Sequence, residues 1–255
     1  MTFETFEFSV NDGVAHIRLN QAKAGNPFNA TFCAEYNELS ILCGKDESIG
    51  AIFIDAAGKN FSVGGDLKMF LDAPEKLPER FARMTADLHM GVSRFVRGNA
   101  PIVVATHNLV VGGALAMIAG ADFVYATPST QFYPAFAAIG LCGDTGASYF
   151  LPRRVGTRKA AELLMLNQMW NAETALQNQL INGIVEEDQL HDHCMKIAAK
   201  LAKGPTEVFG RMRNLLLSSF NQPLETQLEM EARGMVECAK SEDAIQAMTA
   251  IMNKK

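Results

Sequence analysis

PIVVATHNLVVGGALAMIAGAD, residues 101–122, is the stretch on which the reading of the chain turns. After Pro101, the continuous apolar run Ile102, Val103, Val104 and Ala105 predicts a buried strand. Gly112 and Gly113 then permit a sharp turn and leave no side chain over the main chain. Ala114 to Ala119 is apolar and mostly small, the pattern of a closely packed helix start. A strand, a glycine pair and a buried helix together aim free N–H groups at one point, with the positive helix end behind them. Such a point holds an anion, or an oxygen becoming one. Tight packing alone would also account for the glycines, so this stretch by itself leaves both readings open.

A second stretch repeats the pattern. In AIFIDAAGKNFSVGGDL, residues 51–67, a strand over Ala51–Asp55 leads through Gly58 to the pair Gly64–Gly65 and a helical pattern from Leu67 to Phe70. Two such turns can bring two backbone donors to one oxygen, an oxyanion hole suited to a thioester carbonyl. These two stretches resemble the crotonase family, the enoyl-CoA hydratases and isomerases. FSVGGDLK (61–68) is similar to that family's FSAGADLK, and VVGGALAMIAGADFVYA (110–126) to its ALGGGCELAMMCDIVYA. The resemblance implies that the amides of Gly65 and Gly113 are the oxyanion donors. It also implies that Ser62, Val63, Gly64, Asp66, Leu67, Leu109 and Gly112 surround the substrate. The implied fold is α/β, a crotonase-like β-β-α superhelix over residues 1–200 followed by a C-terminal helical trimerisation region, 201–255.

The composition fits this picture. A length of 255 residues with 48% hydrophobic content suits one globular core with a helical appendix. A net charge of −5 with no dense Lys/Arg run argues against a nucleic-acid partner. Met1 to Val10 carries acids where an export signal needs bases, and no apolar run reaches membrane-span length. Five scattered cysteines without C-x-x-C spacing read as reduced thiols and no metal site. The expected setting is cytoplasmic, with no membrane association.

Elsewhere the pattern alternates. Phe3–Phe8 and Val14–Leu19 predict a hairpin around Asn11–Asp12–Gly13. A polar loop over 20–29 precedes a helix from Thr31 to Cys43. In the resembled family that loop lines the adenosine part of coenzyme A, which implies Lys23 and Ala24 as contacts. A helix over Glu79–Val96 carries His89, and His89 and His107 both read as structural. The strands at 51–55, 101–105 and 123–126, with a fourth near 131–132, alternate with helices and predict a mostly parallel sheet. Amphipathic helices follow over 188–203, 205–220 and 223–253, and the resemblance implies that they build homotrimers or hexamers. Gln179 stands where the family has glycine, so Asn182–Gly183 is expected to supply the positive φ. The family's basic, aromatic C-terminal ending is reduced here to Lys254–Lys255.

The carboxylates decide the chemistry. Hydratases of the family use two glutamates, and the matching positions here are Ala116 and Phe136. One acid remains, Asp144, which the local sequence reads equally as a helix cap or a catalyst. IGLCGDTGASYFLPRRVG (139–156) resembles a stretch of the phenylacetate-pathway enoyl-CoA/oxepin-CoA isomerases, where the matching aspartate handles the proton. Chlorobenzoyl-CoA dehalogenases use the matching aspartate as a nucleophile. Hydration calls for two proton-handling groups, whereas moving a double bond needs only one base. Asp144 in an apolar pocket of Tyr133, Phe136 and Leu141 therefore predicts isomerisation of 3-enoyl-CoA to 2-enoyl-CoA, a step of fatty acid metabolism. The alternatives are a hydratase, a hydrolase or dehalogenase, and a non-catalytic acyl-CoA scaffold. No cofactor is expected beyond the coenzyme A of the substrate.

Overall fold

The structure is a computed structural model that describes residues 2–253, apart from the side chains at 242 and 243. Lys254–Lys255 lie outside the described residues. The chain opens with the expected hairpin, β1 (Phe6–Asn11) and β2 (Val14–Leu19). Asp12 (φ 49°) and Gly13 (φ 77°) turn it, both left-handed as a tight primed turn requires. Next come α1 (Ala30–Lys45), β3 (Ala51–Ala56), α2 (Leu67–Asp72), α3 (Leu77–Arg97), β4 (Ile102–Thr106), β5 (Leu109–Val111) and α4 (Gly113–Ala119). The middle of the chain supplies β6 (Phe123–Ala126), β7 (Gln131–Tyr133), α5 (Ala147–Met165), β8 (Trp170–Asn171), α6 (Ala172–Gln177) and β9 (Gly183–Ile184). Four helices close it: α7 (Leu190–Ala202), α8 (Thr206–Ser218), α9 (Leu224–Ala239) and α10 (Glu242–Met252).

Six strands form one sheet in the order β1-β2-β3-β4-β6-β9, parallel except for the hairpin. Strand β3 is buried on both faces, which is why its sequence is apolar throughout except at Asp55. Ile52 and Ile54 face the main core, while Ala51 and Phe53 pack with Val103, Ala105 and the α7 residues Leu190, Cys194 and Ala198. A second layer, β5-β7-β8, is widened by single bridges from Ser62 to Val110 and from Phe28 to Gly65. This layer carries both glycine turns.

Arg213 fixes α8 to the core. Its buried guanidinium donates to the Asp122 carboxylate and to the carbonyls of Phe95, Gly98 and Ala100. By contrast, α9 buries no residue at all.

Two expectations need correction, one about the C-terminal helices and one about Gln179, and helix α5 has a bend of its own. The segment read as one helix over 223–253 is two, because Ser241 starts α10 by accepting from the Ala244 amide. Helix α5 bends at Gly156, whose φ of 77° and ψ of 156° are not helical. Gln179 itself takes the left-handed conformation, φ 62°, and neither Asn182 nor Gly183 has a positive φ. No described helix is long and apolar enough to cross a membrane.

Candidate active site

The two glycine turns meet. Gly64 (φ 83°) and Gly112 (φ 58°) both adopt conformations that side-chain-bearing residues rarely enter. A Cβ on Gly112 would lie 3.9 Å from the Gly64 Cα, and one on Gly64 would lie 3.1 Å from the Val111 carbonyl oxygen. Around Gly65 the Phe28 amide donates to the Gly64 oxygen (2.8 Å) and the Asp66 amide donates to the Phe28 oxygen (3.1 Å). A parallel bridge of this kind turns the N–H of the bracketed residue, Gly65, the other way. Gly113 opens α4, so its N–H lies outside the helical ladder. Among the described residues neither amide donates to a protein acceptor.

Both glycines line one apolar cavity of about 440 Å³, and so does Asp144. Asp144 is half-buried, and Asp144 Oδ1 accepts from the Thr145 hydroxyl at 2.9 Å. Burial pushes the Asp144 carboxyl above the ordinary carboxylate range; the Thr145 hydroxyl, His89 and its own backbone amide pull it back without cancelling the effect. The helix-cap reading finds no support, since Gly146 occupies the cap of α5 and no side chain bonds there. Thr145 is fully buried and holds φ at 54°, an outlier for a β-branched residue. A Cβ on Gly113 would lie 3.0 Å from the Thr145 Oγ1, so the strained residue bridges the acid and the glycine turn.

His89 is exposed on α3, as expected, yet its Nε2 accepts from the Thr145 amide at 3.2 Å. Because an amide can only donate, that bond occupies the Nε2 lone pair. His107 meets the Gly58 carbonyl through its Nε2 at 3.0 Å.

Val63, Leu67, Gly64, Gly112, Tyr133, Phe136 and Leu141 line the cavity with Gly65, Gly113 and Asp144. Ser62 does not; its buried hydroxyl donates to the Asn26 oxygen (2.7 Å) and accepts from the Gly64 amide (3.1 Å). Asp66 caps α2 by accepting from the Met69 amide. Leu109 is half-buried in β5, off the cavity. Lys23 and Ala24 are exposed on a short turn whose following residue, Gly25, lies beside Val63 of the cavity wall.

The resemblance implies that residues 72–100 cover the acyl pocket, but the sequence reading singled out no residue of this opposite wall. Phe81, Met84 and Leu88 on α3 and Phe70 on α2 close the cavity, and the first three stood at visible helical spacing. Cys33 also lines it, but burial, with the nearby Asp144 charge, pushes its thiol up to about 12, so it stays protonated. Ala116 is fully buried and off the cavity, whereas Phe136 lies on it. Asp144 is the one acidic residue on the wall among the described residues. Among the described residues the cysteines join no ligand set, but His16, Asp55 and His191 come together on the α7-covered face of the large sheet. The expectation of no metal site considered cysteines alone and could not see this cluster.

Comparison with known proteins agrees with this architecture. The sequence model of the enoyl-CoA hydratase/isomerase family matches residues 9–255, and the chain belongs to that family, the crotonases. It is thereby an enzyme of acyl-CoA chemistry that needs no cofactor beyond the coenzyme A of its substrate. The trans-2-decenoyl-[acyl-carrier-protein] isomerase of Streptococcus mutans is 29% identical over 86% of this chain and 84% of its own. A 4-chlorobenzoyl coenzyme A dehalogenase of Arthrobacter is 30% identical over 88% and 82%. The 1,2-epoxyphenylacetyl-CoA isomerase of Escherichia coli is 27% identical over 96% and 94%. The crystal structure of an enoyl-CoA hydratase/isomerase from Cupriavidus metallidurans superposes with a TM-score of 0.92 over 100% and 96% of the two chains, at 24% identity, a likeness of fold.

Proposed function

We propose that the chain moves a double bond within an acyl thioester, 3-enoyl-CoA to 2-enoyl-CoA, with Asp144 as the proton carrier. The observation that carries this reading is that Asp144 is the only acid on the cavity wall among the described residues. The carboxylate removes a proton from C2 and the electrons spread over the dienolate. The amides of Gly65 and Gly113 hold the thioester oxygen, and the same carboxyl returns the proton at C4. One such amide contributes on the order of 3 kcal/mol to the transition state. The upward shift of the Asp144 pKa by burial is in the direction that suits a group which must both take and give a proton. The coenzyme A would run past Val63 toward Lys23 and Ala24, with Ser62, Asp66 and Leu109 bracing the turns from behind. Within the family the reading lies nearest the phenylacetate-pathway isomerases.

Hydrolase or dehalogenase chemistry is the second reading, favoured by His89 beside Asp144. It needs a free base for water, and the His89 Nε2 lone pair is already taken by the Thr145 amide. The isomerase is therefore preferred over it, over a hydratase lacking both glutamates, and over an inert scaffold.

Assembly belongs to the same proposal. Leu216, Phe220, Leu228, Met235 and Ile251 on and beside α8–α10 are exposed, an apolar surface that a homotrimer or hexamer would cover. Residues 1–200 would then be the catalytic spiral and 201–255 the assembly region of a cytoplasmic enzyme. Light scattering tests this part: a monomer mass across micromolar concentrations contradicts it.

The test of the chemistry uses 3-enoyl-CoA in deuterated water. Wild-type protein is expected to form the 2-enoyl thioester, to exchange label at C2 or C4, and to add little or no water. Asp144→Asn should bind acyl-CoA but neither isomerise nor exchange. Full activity in Asp144→Asn overturns the assignment.

A further inference from the structure

We propose that His16, Asp55 and His191 form a binding site for one divalent transition-metal ion of the zinc class. Strand β3 has five apolar residues and one charge, Asp55, whose side chain is only 10% exposed. A lone carboxylate in such a strand is costly unless it is paired or coordinated. The parallel register sets His16 of β2 opposite Phe53 and Arg18 opposite Asp55, which places the imidazole beside the carboxylate. His191, at the start of α7, approaches from above the sheet.

The two histidines hold separate oxygens of one carboxylate. His16 Nε2 stands 2.9 Å from Asp55 Oδ1, and His191 Nδ1 stands 3.1 Å from Asp55 Oδ2. One ligand atom from each of the three residues lies within 4.8 Å of the others. A tetrahedral ion with bonds of about 2.0–2.1 Å separates its ligands by roughly 3.3 Å. Each histidine nitrogen thus already stands near bound separation from one oxygen of the Asp55 carboxylate, which can hold an ion through either oxygen or both. Both rings rest on Phe53, His16 stacked at 4.9 Å between centroids and His191 edge-on at 5.2 Å, which limits their wandering.

The donor set selects the class of ion. Two imidazoles and one carboxylate suit zinc, cobalt or nickel, whereas calcium and magnesium prefer oxygen ligands. Three protein ligands leave a coordination position open. Asp55 and His191 line a cavity of about 370 Å³ into which that position can open, and Glu187 and His107 line it too. This cavity shares no lining residue with the one that holds Asp144, so the site is separate from the proposed isomerase centre. The opposing cation is Arg18, whose Nε lies 3.9 Å from Asp55 Oδ1. Its side chain is 38% exposed, free to swing into water when an ion enters.

Equilibrium dialysis of tag-free, chelator-stripped protein against Zn²⁺, repeated with Co²⁺ as a spectroscopic probe, tests the proposal. The expected result is saturable binding of one ion per chain. Cobalt should give the visible bands of a nitrogen and oxygen ligand field without a thiolate charge-transfer band. His191→Gln and the pair His16→Gln/His191→Gln should each weaken binding by about a hundredfold or more. His191→Gln alone guards against misfolding, because that side chain is half exposed and its removal leaves the hairpin intact. Asp144→Asn should bind the ion as the wild type does. No saturable binding, unchanged binding in folded His191→Gln, or a cobalt–thiolate spectrum would each overturn the proposal.

Discussion

Asp55 and Asp144 are both aspartates withdrawn from water, yet their surroundings drive them in opposite directions. Burial raises the pKa of each. At Asp55 that penalty is outweighed by the hydrogen bond and charge of His16, the charge of Arg18 and the hydrogen bond of His191, and the carboxyl ends below its usual range. At Asp144 the wall is apolar and the Thr145 hydroxyl is the main opposing influence, so the carboxyl ends above it. One carboxylate is held charged and serves as an anchor. The other is pushed toward its neutral form, the direction that suits a proton carrier.

The largest expected consequence separates the two by rate. Asp144→Asn keeps the shape of the side chain and removes the proton, and turnover of 3-enoyl-CoA should fall by about 10²–10⁴-fold or more. Steady-state assays at saturating substrate measure it, and a loss of less than tenfold would place the proton on another group.

Stability should separate them with the opposite emphasis. Asp55→Ala leaves His16, Arg18 and His191 facing a hole, and it should cost about 2–3 kcal/mol in urea unfolding of metal-free protein. Asp144→Asn should cost nothing and melt no lower than the wild type. The sign follows from the raised pKa: the folded state holds the Asp144 proton more tightly than the unfolded chain does. That favourable contribution is complete below the unfolded pKa and is lost as pH rises through the folded one. At neutral pH the ionised carboxylate is therefore a burden that asparagine removes, and the gap between variant and wild type should close in acid. A clear destabilisation by Asp144→Asn at neutral pH would mean the carboxylate has a partner absent from this picture.

The sequence allowed one of these carboxylates to be found and hid the other for a physical reason. Asp144 and the turns at Gly64–Gly65 and Gly112–Gly113 each lie in a contiguous stretch, where strand, glycine pair and helix start can be read from neighbours. His89 meets Thr145 across 56 residues, and His191 meets Asp55 across 136. Those contacts exist only after α3 has folded over the cavity and α7 has docked on the sheet, and no local pattern encodes either event. Conformations of moderate cost were equally hidden. Gln179 adopts φ 62° without glycine, and a penalty of about 1–2 kcal/mol is small enough for tertiary packing to impose. The break at Ser241 falls inside a run whose amphipathic spacing continues on either side, so spacing alone read 223–253 as one helix.

The smallest expected effect tests the contrast most directly, because it moves Asp144 further from Asp55 without touching either. Thr145→Val keeps the β-branched shape at a fully buried position and deletes only the hydroxyl that donates to Asp144 Oδ1. The Thr145 amide still meets His89, so the backbone at φ 54° keeps its anchor. Losing a donor to the charged form must raise the Asp144 pKa further. The acid limb of the pH–rate profile for isomerisation should accordingly move to higher pH, while turnover on the alkaline plateau falls only slightly. Substrate saturation should change little, since the hydroxyl is spent on the carboxylate. A uniform loss of rate at every pH, with the acid limb unmoved, would instead make Thr145 a packing residue and leave burial alone responsible for the state of Asp144.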